Sequence, residues 1–152
     1  MLRKRGISIS SLKERIESEA EIKAYIQNLK YALENGGKIV FQIRRYVDEK
    51  RDVKYTNQYT VNTLFPEESP EEVLKKELKT LSYRDYIRTV EDTRFPQRSE
   101  MREFGKIYNG TQEVYIKIRV EVLGDFGTST TYIMSFHFAE YPFKSEMFPY
   151  KK

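Results

Sequence analysis

Between Glu113 and Leu123 the chain alternates without a break, with Val114, Ile116, Ile118, Val120 and Val122 set against Tyr115, Lys117, Arg119 and Glu121. Successive side chains of a strand point to opposite faces. Period two therefore puts the aliphatics on one side and a tyrosine, two cations and a glutamate on the other. Thr130 to Phe138 reads as the next strand, with Tyr132, Met134, Phe136 and Phe138 against Ile133, Ser135 and His137. A turn centred near Phe126 would pair the two strands so that Tyr115 lies opposite His137 and Lys117 opposite Ser135, all facing outward.

Such a face suits cleavage of RNA without a metal. Attack by a ribose 2′-OH on its own phosphate needs a group to take one proton and a group to give one to the leaving 5′-oxygen. It also needs positive charge where the phosphorane develops. Histidine titrates near neutrality and serves as acid or base. Lysine and arginine stabilise the phosphate, arginine through a bidentate fork, and tyrosine donates a hydrogen bond or stacks on a base. The same alternation also fits a plain solvated face carrying a structural histidine, and spacing by itself does not choose between the two.

The elements that would position this face can be read along the chain. Ser10 and Ser11 are candidate N-caps for a first helical stretch from Leu12 to about Glu19. A longer helix from about Glu19 to Asn35 carries Ile22, Ile26, Leu29 and Leu33 at the helical period and stops at Gly36-Gly37. Lys38 to Tyr46 reads as a strand, followed by a polar, tyrosine-rich stretch with a candidate short helix from Thr56 to Leu64. Ser69-Pro70-Glu71-Glu72 starts another helix, with Ser69 as cap, Pro70 at the first position and Glu72 completing a capping box. Val73, Leu74, Leu78 and Leu81 give that helix a buried stripe. Ser82 to Val90 is expected to continue as a short helix or turn, and Asp92 to Arg98 as a loop broken by Pro96. Asn109-Gly110 between Glu103–Tyr108 and Glu113–Leu123 is a hairpin signal.

Composition narrows the function classes. The chain has 152 residues, the size of a single domain, with no Cys, one His and a net charge of +4. Disulfides, thiolate nucleophiles and cysteine-ligated zinc are excluded. No apolar stretch approaches the roughly 20 residues that cross a bilayer. The basic start MLRKRGISIS is followed by no apolar run, so a cytoplasmic protein is expected. No repeat or domain boundary is evident.

A family resemblance covers Leu78 to Phe138. Leu81-Ser82 followed by Arg84-Asp85-Tyr86-Ile87-Arg88-Thr89 resembles the helix end in toxins of the MqsR family, within the RelE-like superfamily of bacterial toxin–antitoxin endoribonucleases. Glu113-Val114-Tyr115-Ile116-Lys117-Ile118 is similar to the family's hairpin, and Met134-Ser135-Phe136-His137 to its final strand. His137-Phe138-Ala139-Glu140-Tyr141-Pro142 is typical of one branch of such toxins. The resemblance implies that the catalytic lysine after the Asp-aromatic pair falls on Arg88, the hairpin tyrosine on Tyr115 and the basic residue of the last strand on His137. The family's glutamine would land near Arg102 or Glu103, neither of which is a glutamine, and Arg102 is the candidate. Residues 1–36 lie outside the match as an N-terminal helical extension to a toxin-like core over 37–150.

The resulting expectation is one α+β domain with a small twisted antiparallel sheet, helices packed on one face, and extra N-terminal helices. Its function would be that of a metal-independent endoribonuclease, the toxin of a toxin–antitoxin pair that cleaves mRNA and needs no cofactor. His137, Tyr115 and Arg88 would be catalytic, and Lys117, Arg119 and Arg102 would bind RNA phosphates. The partners implied are mRNA, a cognate antitoxin and, as a candidate, the ribosome. Two rival readings stand beside it: a non-catalytic RNA- or ribosome-binding module, and an immunity- or antitoxin-like protein-interaction domain using Tyr55 to Tyr59.

Overall fold

A computed structural model describes residues 12–45, 51–123 and 128–151. The chain is α+β, and its described residues form a six-stranded mixed sheet with three α-helices. In chain order these are β1 (Leu12–Arg15), α1 (Glu19–Glu34), β2 (Lys38–Phe41), α2 (Asn57–Leu64), α3 (Pro70–Leu78), β3 (Tyr86–Asp92), β4 (Met101–Tyr108), β5 (Gln112–Leu123) and β6 (Thr128–Phe138). The strand order across the sheet is β1-β3-β4-β5-β6-β2. Every neighbouring pair is antiparallel except β2–β6, which is parallel, so the sheet is larger than the all-antiparallel one expected.

The helices form for local reasons and pack for distant ones. Ser18 caps α1 in a reciprocal box, its hydroxyl accepting the Glu21 N–H at 3.1 Å while the Glu21 carboxylate accepts the Ser18 N–H at 2.9 Å. Ile22, Ile26, Leu29 and Leu33 line one face of α1, and Val73, Leu74 and Leu78 one face of α3. Both stripes join Phe104, Val114, Ile116, Ile118, Ile133 and Phe136 in one buried cluster. Each fully buried side chain of this size contributes roughly 1.5–3 kcal/mol, so the inner face of the sheet is strongly determined. Pro70 takes the first position of α3 as expected, but the Ser69 side chain makes no cap hydrogen bond.

Three expectations are corrected. The first helical stretch expected from Leu12 does not form, and Leu12 to Ser18 is not helical: its first four residues form strand β1, which has no apolar stripe, is exposed throughout, and is held by pairing with β3 and by the Arg15–Glu100 ion pair at 2.8 Å. The candidate caps Ser10 and Ser11 lie outside the described residues. Ser82 to Val90 gives only one 3₁₀ turn, closed by a Ser82–Asp85 capping box, before turning extended as β3. The β-branched Ile87, Thr89 and Val90 favour that outcome. Finally, β6 carries a bulge. Lys117 pairs with Ser135 but Ile118 pairs with Ile133, leaving Met134 as the extra residue. Parity reverses there, so Ile133 enters the core beside Phe136 and Met134 does not.

The hairpin forms as read. Asn109 and Gly110 both adopt positive φ, 52° and 82°, between paired Tyr108 and Gln112. The turn expected around Phe126 lies outside the described residues; the register it implies holds from Val114–Phe138 to Lys117–Ser135, and beyond the bulge, from Ile118–Ile133 to Leu123–Thr128, the pairing is shifted by one residue.

β2 covers only the first half of β6, and the exposed edge of the second half is closed by side chains. Asn57 accepts the Phe136 N–H at 2.9 Å and donates to the Met134 carbonyl at 3.1 Å, while the Thr60 hydroxyl accepts the Phe138 N–H at 2.8 Å. The first turn of α2 thus does the work of a neighbouring strand, which fixes the strand bearing His137 and protects its edge.

Candidate active site

The outer face of the sheet carries the polar residues in two cross-strand rows. Arg88, Glu103, Lys117 and Ser135 form one row across β3, β4, β5 and β6, and Gly105, Tyr115 and His137 form the next. Tyr115 lies opposite His137 and Lys117 opposite Ser135, as strand alternation predicts, and the Tyr115 and His137 rings are 5.4 Å apart.

This face is not open to solvent. The segment after β6 is pinned back to β5 by the Ala139 N–H on the Glu113 carbonyl at 2.8 Å and the Phe143 N–H on the Glu113 carboxylate at 3.1 Å. Phe143 and Phe148 then settle over Gly105. A Cβ there would come within 2.8 Å of Phe143 and 2.9 Å of Phe148, so only glycine allows the segment to lie this close. The result is a cleft of about 510 Å³ with Tyr115, Lys117, Ser135 and His137 at its base, Arg45 and Arg51 on one side, and 139–147 on the other.

His137 is buried, with its state set by two contacts. Nδ1 lies 2.9 Å from the Phe138 carbonyl, which can only accept, so Nδ1 carries the proton. Nε2, 3.2 Å from an Arg51 nitrogen that can only donate, is left with its lone pair. Burial first, and then the positive charges of Arg51, Arg45 and Lys117, push its pKa down to about 4 against the pull of the Phe138 carbonyl. The imidazole is therefore neutral at physiological pH.

The neighbours are tuned as well. Burial lowers the Lys117 pKa, opposed by Glu103 and reinforced by Arg45, Arg88 and Arg51. Burial and the Glu103 carboxylate hold the Tyr115 phenol well above its ordinary value, so it stays protonated. Arg45 donates to the Ser135 hydroxyl at 3.2 Å and to the Met134 carbonyl at 3.1 Å. A neutral base and three cations thus share one cleft.

The other expected residues are placed differently. Arg88 is on the outer face in the Lys117 row, but its guanidinium is engaged by Glu103 at 2.8 Å and by Glu14, and it does not line the cleft. Arg119 shares the face, where it lies 4.4 Å over the Tyr132 ring and pairs with Glu121. Arg102 is a correction. It sits on the helix-covered face, hydrogen-bonded to Glu17 at 2.8 Å and lying over the Tyr25 ring of α1, so it cannot meet a phosphate held by His137. β4 alternation is the reason, because Arg102 shares parity with the core residue Phe104. The residues that sequence reasoning missed are Arg45 and Arg51, and of the two positions weighed for the family's glutamine it is Glu103, not Arg102, whose carboxylate lies on the outer face beside Lys117.

Among the described residues no helix is long and apolar enough to cross a membrane, and no group of three or more His, Asp or Glu is arranged to hold a metal. Fold and site together define an α+β protein with a basic, histidine-bearing cleft on the sheet face opposite its helices. No protein-family model, curated protein or solved structure matches the chain.

Proposed function

We propose that the cleft binds a phosphodiester of single RNA strands and that His137 promotes attack of the adjacent ribose 2′-OH, making the protein a metal-independent endoribonuclease. The observation that carries this reading is a neutral imidazole with its Nε2 lone pair turned into a cleft that also holds Arg45, Arg51 and Lys117. An entering phosphate competes for the Arg51 N–H, because a charged oxygen is the stronger acceptor, and this releases Nε2. Nε2 then takes the 2′-OH proton as the 2′-oxygen bonds to phosphorus. The bond to the 5′-oxygen breaks, and that oxygen takes a proton from the Lys117 ammonium, which its lowered pKa makes the better acid. Arg45 and Arg51 balance the charge on the phosphorane. Tyr115, protonated and beside Glu103, holds the imidazole in place. The products are a 2′,3′-cyclic phosphate and a 5′-OH.

The resemblance over 78–138 extends the proposal to a RelE/MqsR-like toxin acting on mRNA in the cytoplasm, with a cognate antitoxin that covers the cleft. Incubating the purified protein with a defined mRNA in EDTA and mapping the product ends tests the chemistry. Cleavage is expected to survive EDTA and to stop when the scissile nucleotide is 2′-deoxy. Strict Mg²⁺ dependence, or cutting of the deoxy substrate, would overturn it.

One observation favours a second reading. Nε2 already accepts a hydrogen bond from Arg51, as it would in a module that binds RNA without cutting it. Binding without cleavage in the same experiment selects that reading. Absence of both leaves the protein-interaction domain.

A further inference from the structure

The polar base of the cleft does not account for its rim. Past β6 the wall turns aromatic and apolar, with Tyr141, Pro142, Phe143 and Met147 facing the same space as His137. Most rings of this region are occupied. Phe143 packs edge-to-face on Phe148 with centroids 5.5 Å apart, and Tyr115 tilts on His137. Tyr141 differs, since it is 76% exposed, the most exposed large hydrophobic side chain among the described residues, yet it borders the cleft. Exposing an aromatic ring to water costs free energy that burial elsewhere would recover, and its backbone is held in place by the Glu113 contacts on either side of it.

We propose that Tyr141 is the stacking platform for a nucleobase next to the phosphate bound at the cleft base, so that the ligand class is single-stranded RNA. The proposal rests on the RNA-cleft reading above and adds a subsite to it. A base can lie on the Tyr141 ring only if its own face is free, which duplex pairing and stacking forbid. The depth of the cleft argues the same way. His137 and Ser135 are only 7% and 2% exposed, recessed below the 139–147 wall, where a flexible single strand can lower a phosphate and a rigid duplex cannot. Stacking is tolerant of base identity, so Tyr141 supplies affinity and register, and sequence preference comes from other contacts.

The test uses short 2′-O-methyl RNA oligomers, which cannot undergo 2′-OH attack, with 2-aminopurine placed at each position in turn. Binding to the full chain is expected to quench the fluorescence at one position. Tyr141→Ala should abolish the quench and weaken binding about 10-fold, Tyr141→Phe should retain both, and the same oligomer annealed to its complement should bind at least about 10-fold more weakly. Because Tyr141 is on the surface, neither substitution threatens the fold. Unchanged quenching in Tyr141→Ala, or equal binding of the duplex, overturns the subsite. The two readings fail separately. Quenching by Tyr141 without cleavage of unmodified RNA removes the catalytic proposal and keeps the subsite. Cleavage with a Tyr141→Ala KM like that of the wild type removes the subsite and keeps the catalysis. An oligomer that does not bind removes both.

Discussion

His137→Ala is expected to lower the rate of RNA cleavage by about 10²–10⁴-fold, the usual contribution of a positioned general base. The protein should stay folded, because the substitution removes two hydrogen bonds, to Phe138 and Arg51, each of which contributes about 1 kcal/mol. Circular dichroism and urea unfolding of the variant check this. His137→Asn is the companion variant, since an amide can still donate to the Phe138 carbonyl but cannot accept a catalytic proton. Expression of the wild type should arrest bacterial growth and both variants should relieve it. A folded His137→Ala variant that cuts within about 3-fold of wild type would remove His137 from the chemistry.

The same residue sets an unusual pH dependence. An ordinary histidine base loses activity as pH falls below about 6.5. Here the folded pKa is about 4, so kcat/KM should hold from neutrality down to about pH 5 and fall only as Nε2 gains its proton near 4. Stability changes over the intervening range. Between about 4 and 6.5 the unfolded chain binds the proton and the folded chain does not, so acid favours unfolding there. The contribution is complete above 6.5 and declines as pH falls towards 4, by about 3 kcal/mol in all. His137→Asn should remove that part of the acid sensitivity. A cleavage profile with its midpoint near 6.5 would contradict the burial of the imidazole.

The part of the site on β5 and β6 was legible in the sequence because it depends on alternation alone. Five aliphatics at even positions from Val114 to Val122 allow only one choice of buried face, and that choice fixes Tyr115 and Lys117 on the other. The bulge at Met134 left no such mark. Ile133, Met134 and Phe136 are all apolar, so either parity of β6 reads as a core strand until the pairing with β5 is known. Arg45 and Arg51 were invisible for a different reason. They reach the cleft across 90 and 86 residues of chain, Arg45 from the end of the stretch read as a strand, where pairing stops at Phe41, and Arg51 from a polar stretch with no period to betray its direction. Arg102 illustrates the opposite error, a residue chosen by nearness to the hairpin in sequence when β4 parity with Phe104 already assigned it to the core side. Strands β1 and β3 were misread because a four-residue polar edge and a strand opening from a capped 3₁₀ turn look locally like helix starts.

What Arg102 does instead leads to the largest stability effect expected in the chain. Glu17 is 4% exposed and receives both the Nε and Nη2 of Arg102, at 2.8 and 3.2 Å, together with the Thr89 hydroxyl. Its backbone is used as well, the N–H donating to the Tyr86 hydroxyl at 3.0 Å and the carbonyl accepting from Tyr150 at 2.6 Å. Burial pushes the Glu17 carboxyl up, but the hydrogen bonds from Arg102 and Thr89 outweigh it and leave the group below its ordinary value. Attraction therefore exceeds desolvation at this pair, and the stability it contributes is present above the ordinary carboxylate range and lost as pH falls through the lowered pKa. Glu17→Ala would leave the Arg102 guanidinium charged, mostly buried and without its main carboxylate, a change that typically costs about 3–5 kcal/mol. Urea unfolding at neutral pH measures it, and the double variant Glu17→Ala/Arg102→Leu should recover much of the loss because no charge is then stranded. A cost below about 1 kcal/mol would mean that solvent reaches the pair and screens it. The pair lies on the opposite face of the sheet from His137, so cleavage by whatever fraction of Glu17→Ala or Arg102→Leu remains folded should match the wild type. A folded Arg102→Leu protein with weakened RNA binding would instead return Arg102 to the phosphate site from which its place on β4 removes it.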